Sequence, residues 1–354
     1  MRKNYNRLIF YLVTVVAIVI IYWKFSEVEL IRDLFERSNL MWLSAIIVVQ
    51  ILSYYFNALN VREVLRVKDT EVNVKELFPI TYIIQFLNQA LPSGGVSGQG
   101  FFVQYLKKKF GLPVAEGIGR AILELVTLYM AFGSFFIISA FLMIWSGVFG
   151  KHPEIRYLIY GFSFFAAAAV FLFIISQKKK RGRVARWIID RLHDRFEKRK
   201  HKKDESAEPA TQNTGTNHVS MIFEQFKSVL SIETLKKHQK PFWMAFFWQA
   251  MILFANVVTL YFISYAIDAR IGFTVAFIAF TLTKFLSMIS FVPGALGVFE
   301  GGMTLILVSL QVPAAPAFAM TLLLRAFTFW LPMPVGWFLY RRYLNKEDGQ
   351  IITE

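Results

Sequence analysis

The chain has 354 residues, of which 56% are hydrophobic and only 18% charged, and its formal net charge is +15. Soluble domains carry about a quarter charged residues, so a soluble fold of this composition would expose too much apolar surface. The sequence contains no cysteine, which excludes disulfides, thiolate nucleophiles and cysteine-ligated metals. Its five histidines lie in polar connecting segments without metal-ligand spacing, so we expect neither a metal site nor a cofactor.

Six apolar runs are long enough to cross the roughly 30 Å hydrocarbon core, which needs about 20 helical residues. They are residues 8–25, 40–59, 114–145, 155–177, 242–267 and 314–340. The first run follows a basic start like a signal peptide, but no small-residue cleavage site follows it, so we expect a retained span. The sequence therefore predicts an all-α integral membrane protein with six full spans.

Two further apolar stretches, 77–110 and 273–312, are interrupted by proline and glycine at 92–98 and 293–297. Proline removes a helix donor and glycine costs helix stability, so a continuous helix cannot run through either interruption. Broken backbone at membrane depth is tolerated only where protein or a water-filled cavity satisfies it. We therefore predict two re-entrant hairpins.

Lysine and arginine place both termini and the 178–240 loop on the cytoplasmic side of the cell membrane. Residues 178–203 alone carry 13 Lys/Arg against three acidic residues. This pattern predicts a topogenic loop lying on the anionic inner leaflet, followed by a disordered stretch at 204–220. Nucleic-acid binding is the alternative, but no nucleic-acid-binding module accompanies the charge, so we expect no nucleic-acid partner.

The two halves of the chain repeat the order span, span, broken hairpin, span. Residues 1–145 form the first membrane repeat, and residues 155–177 with 242–340 form the second. The first half begins inside the cell and the second outside, so the hairpins enter from opposite sides. This is the pattern of an inverted-topology repeat, in which substrate sites lie near the midplane between discontinuous helices.

Ionisable residues inside spans cost roughly 2.5 to 3.5 kcal/mol each on insertion scales and mark candidate functional sites. Four stand out here, namely Arg120, Glu124, Lys284 and Arg325. In the functional interpretation, the three cations hold an anionic headgroup, because guanidinium forks suit phosphate oxygens. In the structural alternative, Arg120 and Glu124 neutralise each other across one helical turn, and Glu300 neutralises Arg325.

The hairpins contribute hydrogen-bonding side chains and helix N-termini to the same candidate site. The alternative role of these side chains is to satisfy the broken backbone. No nucleophile–base constellation and no P-loop is present, so we expect no catalytic residues and no nucleotide-driven transport. The full candidate substrate site is Asn88, Gln89, Ser93, Gly94, Gly95, Gln99, Arg120, Glu124, Lys284, Pro293, Gly294, Gly297, Glu300 and Arg325.

Residues 88–95 (Asn-Gln-Ala-Leu-Pro-Ser-Gly-Gly) and 293–300 (Pro-Gly-Ala-Leu-Gly-Val-Phe-Glu) resemble the two signature segments of the lysylphosphatidylglycerol synthase transmembrane (flippase-like) family. The resemblance covers nearly the whole chain. It implies a membrane domain that flips aminoacylated phosphatidylglycerol, with Arg325, Glu300 and the hairpin glycines in the lipid site.

Two departures from the family pattern matter. In bifunctional members a separate soluble domain transfers the aminoacyl group from tRNA, whereas this sequence ends at Glu354, so we expect that domain to be absent. Many members carry Gly-Glu where this chain has Gly98-Gln99, which puts a charge-pairing role at the first hairpin in doubt.

Three hypotheses follow from the sequence. The leading one is a phospholipid flippase, or transporter of a lipid-linked substrate, that binds a membrane phospholipid's anionic headgroup between the hairpins. The second is an enzyme, either a membrane-embedded transferase or a membrane component of lysylphosphatidylglycerol synthesis, with Glu124 or Glu300 as general base. The third is a non-transporting scaffold whose basic loop recruits a partner.

Overall fold

The computed structural model describes residues 39–91, 96–146, 234, 237–290 and 292–351. The predicted spans 8–25 and 155–177 and nearly all of the 178–240 loop lie outside the described residues. Within the described ranges every regular element is helical. In chain order these elements are α1 (Leu40–Arg66), α2 (Val74–Ala90), α3 (Val96–Phe110), α4 (Val114–Trp145), α5 (Gln239–Ala266), α6 (Phe273–Ile289), a 3₁₀ turn (Pro293–Ala295), α7 (Val298–Ser309), α8 (Ala314–Arg325), a π-helical turn (Ala326–Trp330) and α9 (Pro332–Ile351).

Four helical stretches are long and apolar enough to cross a membrane: α1, α4, α5 and Ala314–Asn345, the last built from α8, the π-helical turn and the start of α9. They cover the predicted spans 40–59, 114–145, 242–267 and 314–340. Helix α1 continues beyond residue 59 to Arg66 because its polar end is packed rather than solvated. Glu63 is buried there and lies 2.7 Å from the Arg62 guanidinium.

Local sequence signals explain where the helices begin and end. Asn39 and Asn73 cap α1 and α2, since their side-chain oxygens accept hydrogen bonds from the amides two residues later, at 2.9 and 3.0 Å. Helix α2 ends at Ala90, and the next residue, Leu91, is extended because it precedes a proline. The interruptions predicted from proline and glycine are therefore true helix ends.

Helices α1 and α5 form the longest contact between the two halves, and they run antiparallel. Asn39 N–H donates to the Ala266 carbonyl at one end, and Asn60 Nδ2 donates to the Ala245 carbonyl at the other, at 2.9 and 2.7 Å. Between them, Gln50 Nε2 donates to Thr259 Oγ1 at 2.7 Å. These buried polar contacts fix the register of the pair, because an unmatched amide in an apolar interior is costly.

The two broken pairs, α2–α3 and α6–α7, lie between the long helices. Their arms have 17, 15, 17 and 12 residues, fewer than the roughly 20 that a full crossing needs. The arms of each pair pack against each other, and the 3₁₀ turn of the second pair also contacts α2. The tip of the second hairpin therefore lies beside the first hairpin.

Candidate functional site

The tip of the second hairpin reverses the chain through left-handed backbone. Gly294, Ala295 and Gly297 have φ values of 58°, 52° and 79°. Gly294 is also closely packed, because a Cβ at this position would lie 2.5 Å from Cε2 of Phe329. Glycine is required here for both reasons, since L residues rarely adopt this φ and there is no room for a methyl group.

Arg325 holds this tip in place. Its Nε donates to Glu300 Oε1 and one of its terminal nitrogens donates to the Gly294 carbonyl, both at 2.6 Å. The guanidinium lies between two rings, 4.6 Å from the centroid of Phe299 and 4.4 Å from that of Phe329. Arg325 is only 6% exposed. The predicted pairing of Arg325 with Glu300 is confirmed, and the guanidinium is directed mainly at the protein.

Glu300 also binds the tip of the second hairpin through its other carboxylate oxygen. Glu300 Oε2 accepts a hydrogen bond of 2.6 Å from the Gly297 amide, as in a capping box at the start of α7. This amide was one of the helix N-terminal donors expected to face a headgroup. In the structure it is already satisfied by Glu300.

Lys284 is the remaining charge at the second hairpin. It lies in α6 and is partly buried, and its ammonium is close enough to Arg325 for the two positive charges to repel. Among the residues that the structure describes, its side chain has no hydrogen bond or ion pair. Two cations and one carboxylate give this cluster, which we term the tip cluster (Lys284, Glu300 and Arg325), a net positive charge of one.

The first hairpin is joined by neutral contacts next to its break and by an ion pair between Lys109 and Glu76 at the opposite end of its arms. The Gly98 amide donates to Asn88 Oδ1 at 2.8 Å, and Ser97 Oγ donates to the Leu87 carbonyl at 3.0 Å. Asn88 therefore satisfies broken backbone, which was its predicted alternative role. Of the other candidates here, Gln89 has a buried side-chain oxygen without a hydrogen-bond partner in the described structure. Ser93, Gly94 and Gly95 lie outside the described residues.

Arg120 has a different partner from the one predicted. It pairs with Glu116 at 2.7 Å instead of Glu124, and it also donates to Thr70 Oγ1 at 2.9 Å. Glu124 instead faces Gln99, whose Nε2 lies 3.4 Å from Glu124 Oε2. Both acids are four residues from Arg120, but a glutamate N-terminal to its cation is the better orientation along a helix. That preference is a sequence signal that could have pointed to Glu116, which the sequence analysis missed.

This pairing also changes the predicted set of headgroup cations. Arg120 is 1% exposed and is bound to the start of α4 and to the α1–α2 connection through Thr70. Arg325 and Lys284 belong to the tip cluster instead. The structure therefore brings together Lys284, Arg325, Glu300, Gly294 and the backbone of Pro293 and Gly297, and it assigns Arg120 to a separate network.

The last span links the two hairpins. Arg325 and Phe329 on this span contact the second tip. Further along, Gly336 lies so close to α2 that a Cβ there would be 2.5 Å from Phe86 Cβ and 2.7 Å from the Tyr82 carbonyl oxygen. Sequence reasoning missed this crossing, although Gly336 was a possible signal of close helix approach.

Comparison with known proteins identifies the family of this fold. A sequence model of the family described as "Lysylphosphatidylglycerol synthase TM region" matches residues 9–336. No curated protein and no solved structure matches the chain. The match includes both broken hairpins, the tip cluster and the long apolar helices. The chain therefore belongs to the lysylphosphatidylglycerol synthase TM region family.

Proposed function

We propose that the protein is a lipid transporter that binds an anionic headgroup beside the second hairpin and carries it between leaflets while the acyl chains stay in the bilayer. The observation that supports this proposal most is Lys284, a cation without an ion-pair partner among the described residues, next to a tip already neutralised by its own carboxylate. A buried charge without a partner is costly. A headgroup phosphate would supply the missing negative charge.

The arrangement of the hairpins supports movement of the substrate. Both hairpins have arms shorter than a full crossing, and the second tip contacts α2 of the first hairpin. The order helix, broken pair, helix occurs in each half, and the equivalent helices α1 and α5 run antiparallel. These features fit an inverted repeat with six spans and both termini in the cytoplasm. Rocking of the repeats would then expose the site to each leaflet in turn.

The tip cluster favours transport over catalysis by this chain. Glu300, one of the two candidate general bases, accepts from both Arg325 and the Gly297 amide. A base must be free to accept a proton from the reacting group. Lipid mass spectrometry of cells lacking the protein separates the two functions. A missing lipid species indicates synthesis, and a normal lipid set with altered leaflet distribution indicates transport.

The direct test uses the purified full chain in phospholipid vesicles with a headgroup-labelled anionic lipid and a membrane-impermeant quencher. We expect Lys284→Met to slow headgroup exchange at least about tenfold, since about 1.4 kcal/mol of lost binding is a factor of ten. Its unfolding midpoint should not fall, because the substitution removes a charge without a counterion.

Two variants serve as matched controls. Lys75→Met removes the same charge from an exposed position on α2 and should exchange lipid like the wild type. Lys284→Arg keeps the charge and should retain part of the activity. Wild-type vesicles that do not exchange lipid, or a Lys284→Met variant as fast as wild type, would contradict the proposal.

A further inference from the structure

The contact between the first hairpin and α4 contains an unmatched hydrogen-bonding atom. Gln99 Nε2 lies 3.4 Å from Glu124 Oε2, which is within hydrogen-bond reach. At the other end of the same amide, Gln99 Oε1 is buried and has no partner in the described structure. An ionised carboxylate only accepts hydrogen bonds, so ionised Glu124 cannot satisfy this oxygen.

A protonated Glu124 can form a hydrogen bond with each end of the Gln99 side-chain amide. The carboxylic acid has one O–H donor next to one acceptor oxygen, and the amide has an acceptor next to a donor. The two groups can therefore pair through two parallel hydrogen bonds. Turning the amide over does not help the ionised form, because Gln99 Oε1 would then face a carboxylate oxygen. Only protonated Glu124 can give both the oxygen and the nitrogen of the Gln99 amide a hydrogen-bond partner, whichever way the amide is turned.

Among the residues that the structure describes, none forms an ion pair with Glu124. Its carboxylate has Gln99 as its hydrogen-bond partner, and the nearest arginine along α4, Arg120, is bound to Glu116. Helices α1, α3, α5 and α6 pack against α4. Their charged residues are Arg62, Glu63 and Arg66 on α1, Lys107, Lys108 and Lys109 on α3, Lys240 on α5 and Lys284 on α6.

None of these charged residues forms an ion pair with Glu124 in the described part of the chain. Arg62 and Arg66 both bind Glu63. The three lysines of α3 lie in its last turn, whereas Gln99 lies in its first, and Lys240 is in the first turn of α5. Lys284 lies beside Arg325. A carboxyl group at membrane depth without a cation favours its neutral form.

We propose that Glu124 is a proton-binding site and that proton exchange at this residue is coupled to movement of the first hairpin. The coupling rests on the proposed transport function, for which it supplies a driving force. A proton from water adds to the carboxylate and forms the O–H that Gln99 accepts. Its loss to water leaves a carboxylate that no longer matches Gln99, which favours separation of α3 from α4. Glu124 is only partly buried, and in this proposal the proton enters and leaves from its exposed side.

Infrared spectroscopy of the full chain in vesicles tests the protonation without requiring transport. A protonated carboxyl group has a carbonyl band distinct from that of carboxylates. We expect such a band at about pH 7, well above the ordinary glutamate pKa of about 4.3. It should be lost in Glu124→Gln and kept in Glu116→Gln, a control on the same helix. A band that is missing in the wild type, or that persists in Glu124→Gln, overturns the proposal.

A second variant tests the pairing with Gln99 and does not depend on the folding of Glu124→Gln. Gln99→Met removes the amide but keeps the length of the side chain. We expect the carbonyl band of Glu124 to move to the higher frequency of an acid that has lost its hydrogen bonds. An unchanged frequency in folded Gln99→Met protein overturns the pairing.

The pH dependence of headgroup exchange then tests the coupling. We expect wild-type exchange to change about tenfold between about pH 6 and about pH 9, and Glu124→Gln to be nearly independent of pH over the same range. Exchange with the same pH profile in both proteins overturns the coupling and leaves the transport function standing. If the infrared band is present but no protein exchanges lipid, the transport function itself has failed, and the coupling with it.

Discussion

Both hairpins have short helical arms, but the side-chain contacts beside their breaks differ in chemistry. The first is joined by an amide and a hydroxyl, with Asn88 accepting from the Gly98 amide and Ser97 donating to the Leu87 carbonyl. The second is joined by a buried ion pair, with Arg325 bound to Glu300 and to the Gly294 carbonyl. Neutral groups with partial access to water can exchange partners at low cost, whereas a buried ion must keep its counterion.

This difference assigns different mechanical roles to the hairpins. The second tip is fixed, because moving it would separate charges within an apolar interior. The first hairpin can adjust at its break, because the contacts there are neutral, the Lys109–Glu76 ion pair lies at the far end of its arms, and the Gln99–Glu124 contact is long at 3.4 Å. The following substitutions test this contrast, beginning with the largest expected effect.

Replacing Arg325 with alanine should lower the free energy of unfolding by about 3 kcal/mol, because Glu300 is left as a partly buried charge without a counterion. An SDS titration of the purified protein measures this. Arg341→Ala, which removes an exposed arginine stacked on Trp337, should cost about 1 kcal/mol or less. The double variant Arg325→Leu with Glu300→Leu should cost less than the sum of the single variants. If the double variant lost as much free energy of unfolding as the two single variants together, the second tip would not be held by this ion pair.

Replacing Gly98 with alanine should cost about 1–3 kcal/mol, because it overpacks the crossing of α2 and α3. A Cβ at this position would lie 2.4 Å from both Asn88 Oδ1 and the Ile84 carbonyl oxygen. Gly100→Ala is the matched control in the same helix, since no atom lies within 4 Å of its Cβ position. Thermal unfolding of the two variants should separate them clearly. Equal midpoints would mean that the first hairpin can open at its break without loss of stability.

Replacing Asn88 with alanine should have the smallest effect, about 1 kcal/mol, because it removes one neutral hydrogen bond from a partly exposed residue. Asn88→Asp keeps an acceptor for the Gly98 amide and should recover much of the loss. Hydrogen exchange at the Gly98 amide provides the measurement, and it should be faster in Asn88→Ala. A loss as large as that of Arg325→Ala would remove the contrast between the hairpins.

Local sequence features predicted the positions of helices and breaks well where the residue types alone determine them. Apolar runs located the long helices, and proline with glycine located both breaks, because these residues act on their own backbone. The end of α1 was predicted too early, since residues 60–66 include four polar or charged residues, and the apolar run does not show their partners within α1 and on α5. The π-helical turn at Ala326–Trp330 was not predicted at all, because nothing in its apolar sequence differs from an ordinary span.

The sequence predicted which residues belong to the candidate site better than it predicted which of them contact one another. The pairing of Arg325 with Glu300 follows from the need to neutralise a deep charge, and it is confirmed. The contact of Arg120 with Thr70 was not predicted, because Thr70 is 50 positions away in the sequence and no spacing rule reveals it. Helical spacing alone also could not choose between Glu116 and Glu124, which lie one turn on either side of Arg120.

The π-helical turn after Arg325 determines which surfaces the last span presents. One extra residue in a helix rotates everything that follows by about 100°. Before the turn, Arg325 faces the second tip, and after it Gly336 faces α2. The last span thus contacts the two hairpins through different sides of one continuous helix. Deleting one residue within 326–330 would turn Gly336 away from α2 and remove this contact between the last span and the first hairpin without removing any charged residue.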